Sequence, residues 1–186
     1  EYGEYIFDAP IPVIALEASE DLNTSFTEAD VILRNVTTDT LIPTTDYNLD
    51  YVSGTNRWIV EPDAVLPDGN YQVTINAGSV VDRANLPQAS TYVFDFFVLA
   101  GDLNRNRHID FGDLLKLAQT YGKYGRAFSD GNANYSSGGA VNFSDLLLIA
   151  QRYGSSLPQL QTGLNPTSTF FTNSRRPIGE QLEMYS

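Results

Sequence analysis

Between residues 102 and 113, side-chain oxygens recur at every second position. Asp102, Asn104, Asn106, Asp110 and Asp113 occupy positions 1, 3, 5, 9 and 12 of a twelve-residue stretch, and His108 at position 7 can add its backbone carbonyl. Such spacing lets a tightly curled loop turn six oxygens inward, which suits a hard cation such as calcium. A turn rich in Asn and Asp that caps a helix would account for Asp110 or Asp113. It would not account for the whole alternation. Ile109, at position 8, is expected to point into a core between loops.

The pattern returns. Residues 102–124 and 134–156 align without a gap at an offset of 32, and eight of 23 positions are identical. That makes the stretch an internal duplication. In this register the second loop offers Asn134, Ser136, Gly138, Asn142 and Asp145, with the Ala140 carbonyl at position 7. It has one carboxylate and no side-chain oxygen at position 5, so a second cation is expected to bind less well. Starting the loop at Asn132 instead would need a two-residue insertion and would add no acid.

Each loop must be held by the element after it. Leu114, Leu115, Leu117, Ala118 and Tyr121 fall on one face of a helix, as do Leu146, Leu147, Ile149, Ala150 and Tyr153. Gly122 and Gly154 suit the left-handed position that ends a helix. One short helix cannot bury its stripe alone, so the two are expected to pack as a pseudo-symmetric pair.

The first hundred residues differ in kind. Runs at 13–16, 31–36, 47–52, 57–60, 71–76 and 92–98 read as strands, with Tyr71, Val73 and Ile75 alternating against Gln72, Thr74 and Asn76. Turn signals at 53–56, 67–70 and 85–87 separate them. Short, evenly spaced strands without an amphipathic helix predict an antiparallel β-sandwich. Trp58 lies in a strand and is expected in the core. Carbohydrate binding by Trp58 or exposed tyrosines is the alternative.

Charge divides the chain at the same place. Residues 1–100 carry net −13, residues 101–156 net +1 and residues 157–186 net zero, which together make −12 over 186 residues. So acidic a chain does not hold nucleic-acid phosphates through its general field. No apolar run reaches the roughly 18 residues of a membrane span. There is no cysteine, which removes disulfides and thiolate chemistry, and the single histidine argues against a zinc or histidine-based catalytic site. No paired carboxylates stand out for glycoside hydrolysis. The first residue, Glu1, is not methionine, and we expect a processed protein or a fragment of a longer one. The composition, rich in Thr, Asn, Tyr and Asp with only two lysines, suits an exported protein.

Two resemblances follow from these residues. Leu66-Pro67-Asp68-Gly69-Asn70-Tyr71-Gln72-Val73-Thr74-Ile75, followed by Val80-Val81-Asp82, resembles the bacterial Ig-like domains of large surface proteins. That resemblance implies a spacer or structural module. The duplicated loop and helix over residues 101–156 resembles type I dockerin domains, with EF-hand-type loops. Its Phe-x-Asp-Leu-Leu…Ala-Gln-x-Tyr-Gly wording looks like the dockerin-like modules of planctomycete-type surface proteins. The Phe-Phe-Val-Leu-Ala-Gly-Asp joint at 96–102 looks like their Ig-to-dockerin junction. The resemblance implies two calcium ions and docking onto cohesin domains through the helices.

Departures from that pattern shape the expectations. Arg107 stands where the family carries a loop glycine, and with Arg105 it leaves the first loop net −1, which should weaken calcium. Millimolar extracellular calcium could still fill such a site. Positions 10 and 11 are Phe111-Gly112 and Phe143-Ser144, where the family reads its partner. These phenylalanines are expected to pack within the chain.

The sequence therefore predicts a mixed fold: an N-terminal all-β Ig-like sandwich (1–100), a small α dockerin-like pair of EF-hand-type loop-helix motifs (101–156) and a C-terminal tail (157–186). The expected role is non-catalytic, on a cell surface or outside the cell, with a protein partner that is cohesin-like or another copy of the chain. A self-assembling surface-layer or filament component is the alternative. A carbohydrate-binding protein or a fragment of a secreted enzyme comes third. In the tail, Phe170, Phe171, Ile178 and Leu182 could pack on either unit or on a partner.

Overall fold

The structure is a computed structural model and describes residues 3–19, 22 and 26–160. The contacts expected of Phe170, Phe171, Ile178 and Leu182 lie outside these residues.

Among the described residues, eight strands form two four-stranded antiparallel sheets. In chain order they are β1 (Gly3–Ile6), β2 (Val13–Glu17), β3 (Ile32–Asn35), β4 (Thr40–Leu41), β5 (Tyr47–Val52), β6 (Arg57–Pro62), β7 (Gly69–Ile75) and β8 (Tyr92–Val98). One sheet has the order β1-β2-β6-β5 and the other β4-β3-β7-β8. The alternation in the sequence sets which side chains turn inward. Tyr71, Val73 and Ile75 of β7 are fully buried, while Gln72 and Thr74 between them are half-buried. Ile14, Leu16, Trp58 and Val60 come from the first sheet, and Leu33, Tyr71, Val73, Ile75 and Phe96 from the second. All belong to one apolar cluster. This arrangement is compatible with a β-sandwich.

Two buried phenols are anchored to the backbone. The Tyr47 hydroxyl donates to Val31 O (2.7 Å), and the Tyr71 hydroxyl donates to Pro67 O (2.8 Å). Burial, reinforced by Glu28, pushes Tyr47 up to about 12. Trp58 is 5% exposed and lies in the core as expected, edge-on to Phe26 with centroids 5.5 Å apart.

Two strands have no counterpart in the sequence reading. β1 is only four residues long and buries Tyr5 alone. Gly3 is required there, since a Cβ would sit 2.6 Å from the Phe94 ring. β4 has two exposed residues and pairs with the end of β3. The predicted turn at 67–70 begins as a bend, but β7 already starts at Gly69.

Two ten-residue helices follow, α1 (Phe111–Thr120) and α2 (Phe143–Arg152). They start alike. Asp110 and Asn142 accept from the backbone N–H of Gly112 and Ser144, and Asp113 and Asp145 return to the capping residues' own N–H groups. They also end alike, with Gly122 at φ +79° and Gly154 at φ +84°. Leu117 and Ile149 enter a second apolar cluster with Leu103, Ile109, Ala133 and Val141. Phe7 packs against both clusters. Among the described residues no helix is long and apolar enough to cross a membrane.

Candidate metal centre

The first loop curls around its own acids. Asp102 is fully buried and accepts from Asn106 N (3.0 Å) and Arg107 N (2.8 Å). Asp113, also fully buried, accepts from Asn104 N (3.2 Å) and Asp110 N (2.9 Å). Asn104 Oδ1 accepts from Asn106 N (3.0 Å), and Asn106 Oδ1 from His108 N (2.8 Å). Each of these oxygens has a second lone pair to offer.

Two buried carboxylates so placed oppose one another. Burial pushes the Asp102 carboxyl up, backbone hydrogen bonds from Arg107 and Asn106 pull it down, and the charge of Asp113 raises it again. Asp113 is likewise raised, chiefly by burial. Both therefore sit above the ordinary carboxylate value, and a cation among them would offset that cost. Among the described residues no three His, Cys, Asp or Glu side chains are gathered tightly enough to chelate an ion. The residues that would add oxygens to a hard cation in this loop are Asn104 and Asn106 through their amides and His108 through its carbonyl.

Arg107 stands at φ +70° and Arg105 at φ +61°, so arginine here takes the left-handed turn that glycine would favour. Among the described residues neither guanidinium forms an ion pair with a loop carboxylate, though the charge of Arg105 lowers the Asp102 carboxyl in part. Arg105 lies 3.8 Å from the Phe97 ring centroid and 4.6 Å from that of Phe7, and donates to Phe97 O (3.0 Å). Arg107 lies 4.1 Å from the Phe97 centroid and donates to Asn70 Oδ1 (2.7 Å) and Pro158 O (3.0 Å).

The second loop runs in a different frame from the one the ungapped alignment suggests. Asn134 N donates to Asp145 Oδ1 (3.2 Å), as Asn104 N does to Asp113 Oδ1. Ser136 N donates to Asn132 Oδ1 and Asn134 Oδ1 (2.9 Å each), as Asn106 N does to Asp102 and Asn104. Asn132 thus occupies the place of Asp102, and Asn134 and Ser136 those of Asn104 and Asn106. The offset is 30 through Ser136 and 32 from Ala140 onward. The extra pair is taken up by a turn closed from Gly139 N to Ser136 O (3.0 Å). Gly138 gives its carbonyl to Gly125 N (2.9 Å) instead of facing the loop centre. The Ser136 hydroxyl lies 2.9 Å from Asn132 Oδ1 and 3.3 Å from Ala140 O, bridging oxygens of the loop. Asp145 is fully buried and is the sole carboxylate of this set.

The loops and helices interlock. Gly154 N donates to Ile109 O (2.8 Å), and Ile109 N to Ser155 O (2.9 Å). Gly122 N donates to Val141 O (2.8 Å), and Val141 N to Lys123 O (2.9 Å). Each loop is therefore strapped to the segment that follows the other helix. Ile109 is fully buried, as its position required.

The expectation that Phe111 and Phe143 pack inward is not met. They are 68% and 64% exposed. Each is the first residue of its helix, and a ten-residue helix resting on a small core turns its far side to solvent. Leu115, Leu147, Tyr121 and Tyr153, expected in the buried stripes, are also exposed. An apolar groove of about 550 Å³ runs along α1, lined by Phe111, Leu114, Leu115, Ala118 and Tyr121 with Leu146 of α2 beside them.

No protein-family model matches the chain, and no curated protein is similar enough to stand as its relative.

Proposed function

We propose that the chain is a non-catalytic region of an extracellular or cell-surface protein. Residues 101–156 act as a calcium-stabilised, dockerin-like docking module, and residues 1–100 carry it as an Ig-like spacer. One observation supports this reading above the rest: a duplicated loop-helix unit exposes matched apolar residues, Phe111 with Phe143, Leu115 with Leu147 and Tyr121 with Tyr153. Scattered apolar side chains on a surface need no explanation, whereas an exposed apolar patch that recurs in both copies supports a docking face. Asp102, Asn104, Asn106, Asp110 and Asp113, with the His108 carbonyl, would hold the first ion. Asn132, Asn134, Ser136, Asn142 and Asp145, with the Ala140 carbonyl, would hold a weaker second. The ion's task is to hold each loop shut so that its helix presents a fixed face.

Calorimetric titration of EDTA-stripped protein with calcium tests the metal, with Asp102→Ala and Asp113→Ala as controls. Binding heat that the controls reduce, together with a raised Tm, is expected. Sedimentation with and without calcium and a cohesin-type partner tests docking. A 1:1 complex that Leu115→Asp with Leu147→Asp abolishes is expected. Self-association without a partner would favour a lattice component. Absence of calcium heat would remove the mechanism.

A further inference from the structure

We propose that the first loop is also a clasp, through which calcium sets the angle between the sandwich and the helix pair. The proposal rests on the calcium reading above. It begins from a choice of residue. Positions 4 and 6 of the loop adopt positive φ, where glycine would serve the loop alone. The chain places arginine at both.

What arginine adds is reach. Both guanidinium groups lie over the Phe97 ring of β8, at 3.8 and 4.1 Å from its centroid. Arg107 also donates to Asn70 Oδ1 on β7, and Asn70 Nδ2 donates to Pro158 O (3.0 Å) after α2. Asn70 and Phe97 are partners in the β7–β8 register. Loop, sheet and the chain beyond α2 therefore meet around one pair of sheet residues.

The clasp shares its backbone with the metal loop. Arg107 N donates to Asp102 Oδ2 (2.8 Å), and Arg105 N donates to Asp102 O (3.3 Å). Without the ion, Asp102 is held only by the N–H groups of Asn106 and Arg107, and the turn that aims both arginines loosens. Other contacts between the two units do not pass through this loop. Asp68 pairs with Arg152, and Asp8 accepts from Ser129 N and its hydroxyl (2.8 Å each). They keep the units attached, so the ion governs orientation.

The chain has no cysteine, so two can be introduced for spin labels, at exposed Ser53 on the sandwich and Gln119 on α1. The full chain is measured by double electron–electron resonance with calcium and after EDTA, beside calorimetry. A narrow distance distribution with calcium that broadens after EDTA is expected. Arg105→Gly with Arg107→Gly should bind calcium as tightly or more tightly, since two positive charges leave, yet stay broad with calcium present. If that variant does not fold, Asn70→Ala should broaden the distribution in the same sense. Equal widths with and without calcium, in protein that calorimetry shows binding it, overturn the clasp and leave the metal reading standing. Absence of calcium heat overturns both.

Discussion

The two copies of the loop-helix unit agree where backbone geometry is at stake and differ where charge is. Both helices begin on a reciprocal cap, both end on a left-handed glycine, and both bury one β-branched residue at the strap, Ile109 or Val141. Yet the first loop carries Asp102, Asp110 and Asp113, whereas the second carries Asn132, Asn142 and Asp145. The residue at position 4 differs as well: Arg105 lies over Phe97 of β8, whereas Tyr135 stacks on Phe128 with centroids 5.0 Å apart and has Tyr5 of β1 beside its hydroxyl. The two copies keep the caps and straps, while the loops between them differ by two residues and in their acids. The amide keeps one of the two acceptor oxygens: Asn132 Oδ1 accepts from Ser136 N as Asp102 Oδ1 accepts from Asn106 N, but where Asp102 Oδ2 accepts from Arg107 N, Asn132 Nδ2 donates to Ser136 O (3.3 Å).

The sharpest way to break the likeness is through the core. Ile109→Ala removes a fully buried side chain from the strap and should cost about 3 kcal/mol in urea unfolding, with Val141→Ala costing less because a smaller group is lost. Equal costs would mean that the straps are not equivalent in packing. Charge comes next. On the proposed reading, Asp102→Asn should weaken the tighter calcium site by about tenfold, or ~1.4 kcal/mol, and Asn132→Asp should strengthen the weaker one in calorimetry. A smaller and more even effect is expected at the caps. Asp110→Ala and Asn142→Ala should each lower stability by about 1 kcal/mol, read from Tm in metal-free protein.

The last comparison shows only in alkali. Burial, with Tyr5 nearby, holds the Tyr135 hydroxyl well above its ordinary value, and Arg105 lowers it in part. The neutral form is favoured in the folded chain. Its contribution is therefore complete below pH 10, and is lost as pH rises beyond that. Tyr135→Phe should flatten the fall in stability above pH 10 and leave it unchanged at neutral pH. No difference between the two proteins in alkaline melts would place the sensitivity elsewhere, with Tyr47 the next to test.

Much of this was legible because it is local. The β7 alternation, the loop oxygens and both glycine stops are periodicities of two, of two again, and of a helical turn. The true start of the second loop was not. The identities that align the copies lie at Phe111 and beyond, so they set the offset from the helices and hide an insertion among Ser137, Gly138 and Gly139. The outward Leu115, Leu147, Tyr121 and Tyr153 escaped the sequence for a different reason. A stripe shows that a face is apolar, and leaves open whether this chain covers it. The contacts of Arg105 and Arg107 with Phe97 and Asn70 join strands to a loop, and no local spacing announces them.

The exchanged straps carry a consequence for how such a unit could exist at all. A lone copy would leave the amide and carbonyl of Ile109 without the Ser155 and Gly154 groups that satisfy them. Two free copies could satisfy each other only as a symmetric dimer, formed at a rate that depends on dilution. Joining them in one chain makes that encounter intramolecular, at an effective concentration in the millimolar range for a short connection. The connection between α1 and α2 is therefore as much a part of the unit as the loops: cutting it would return folding to the law of mass action.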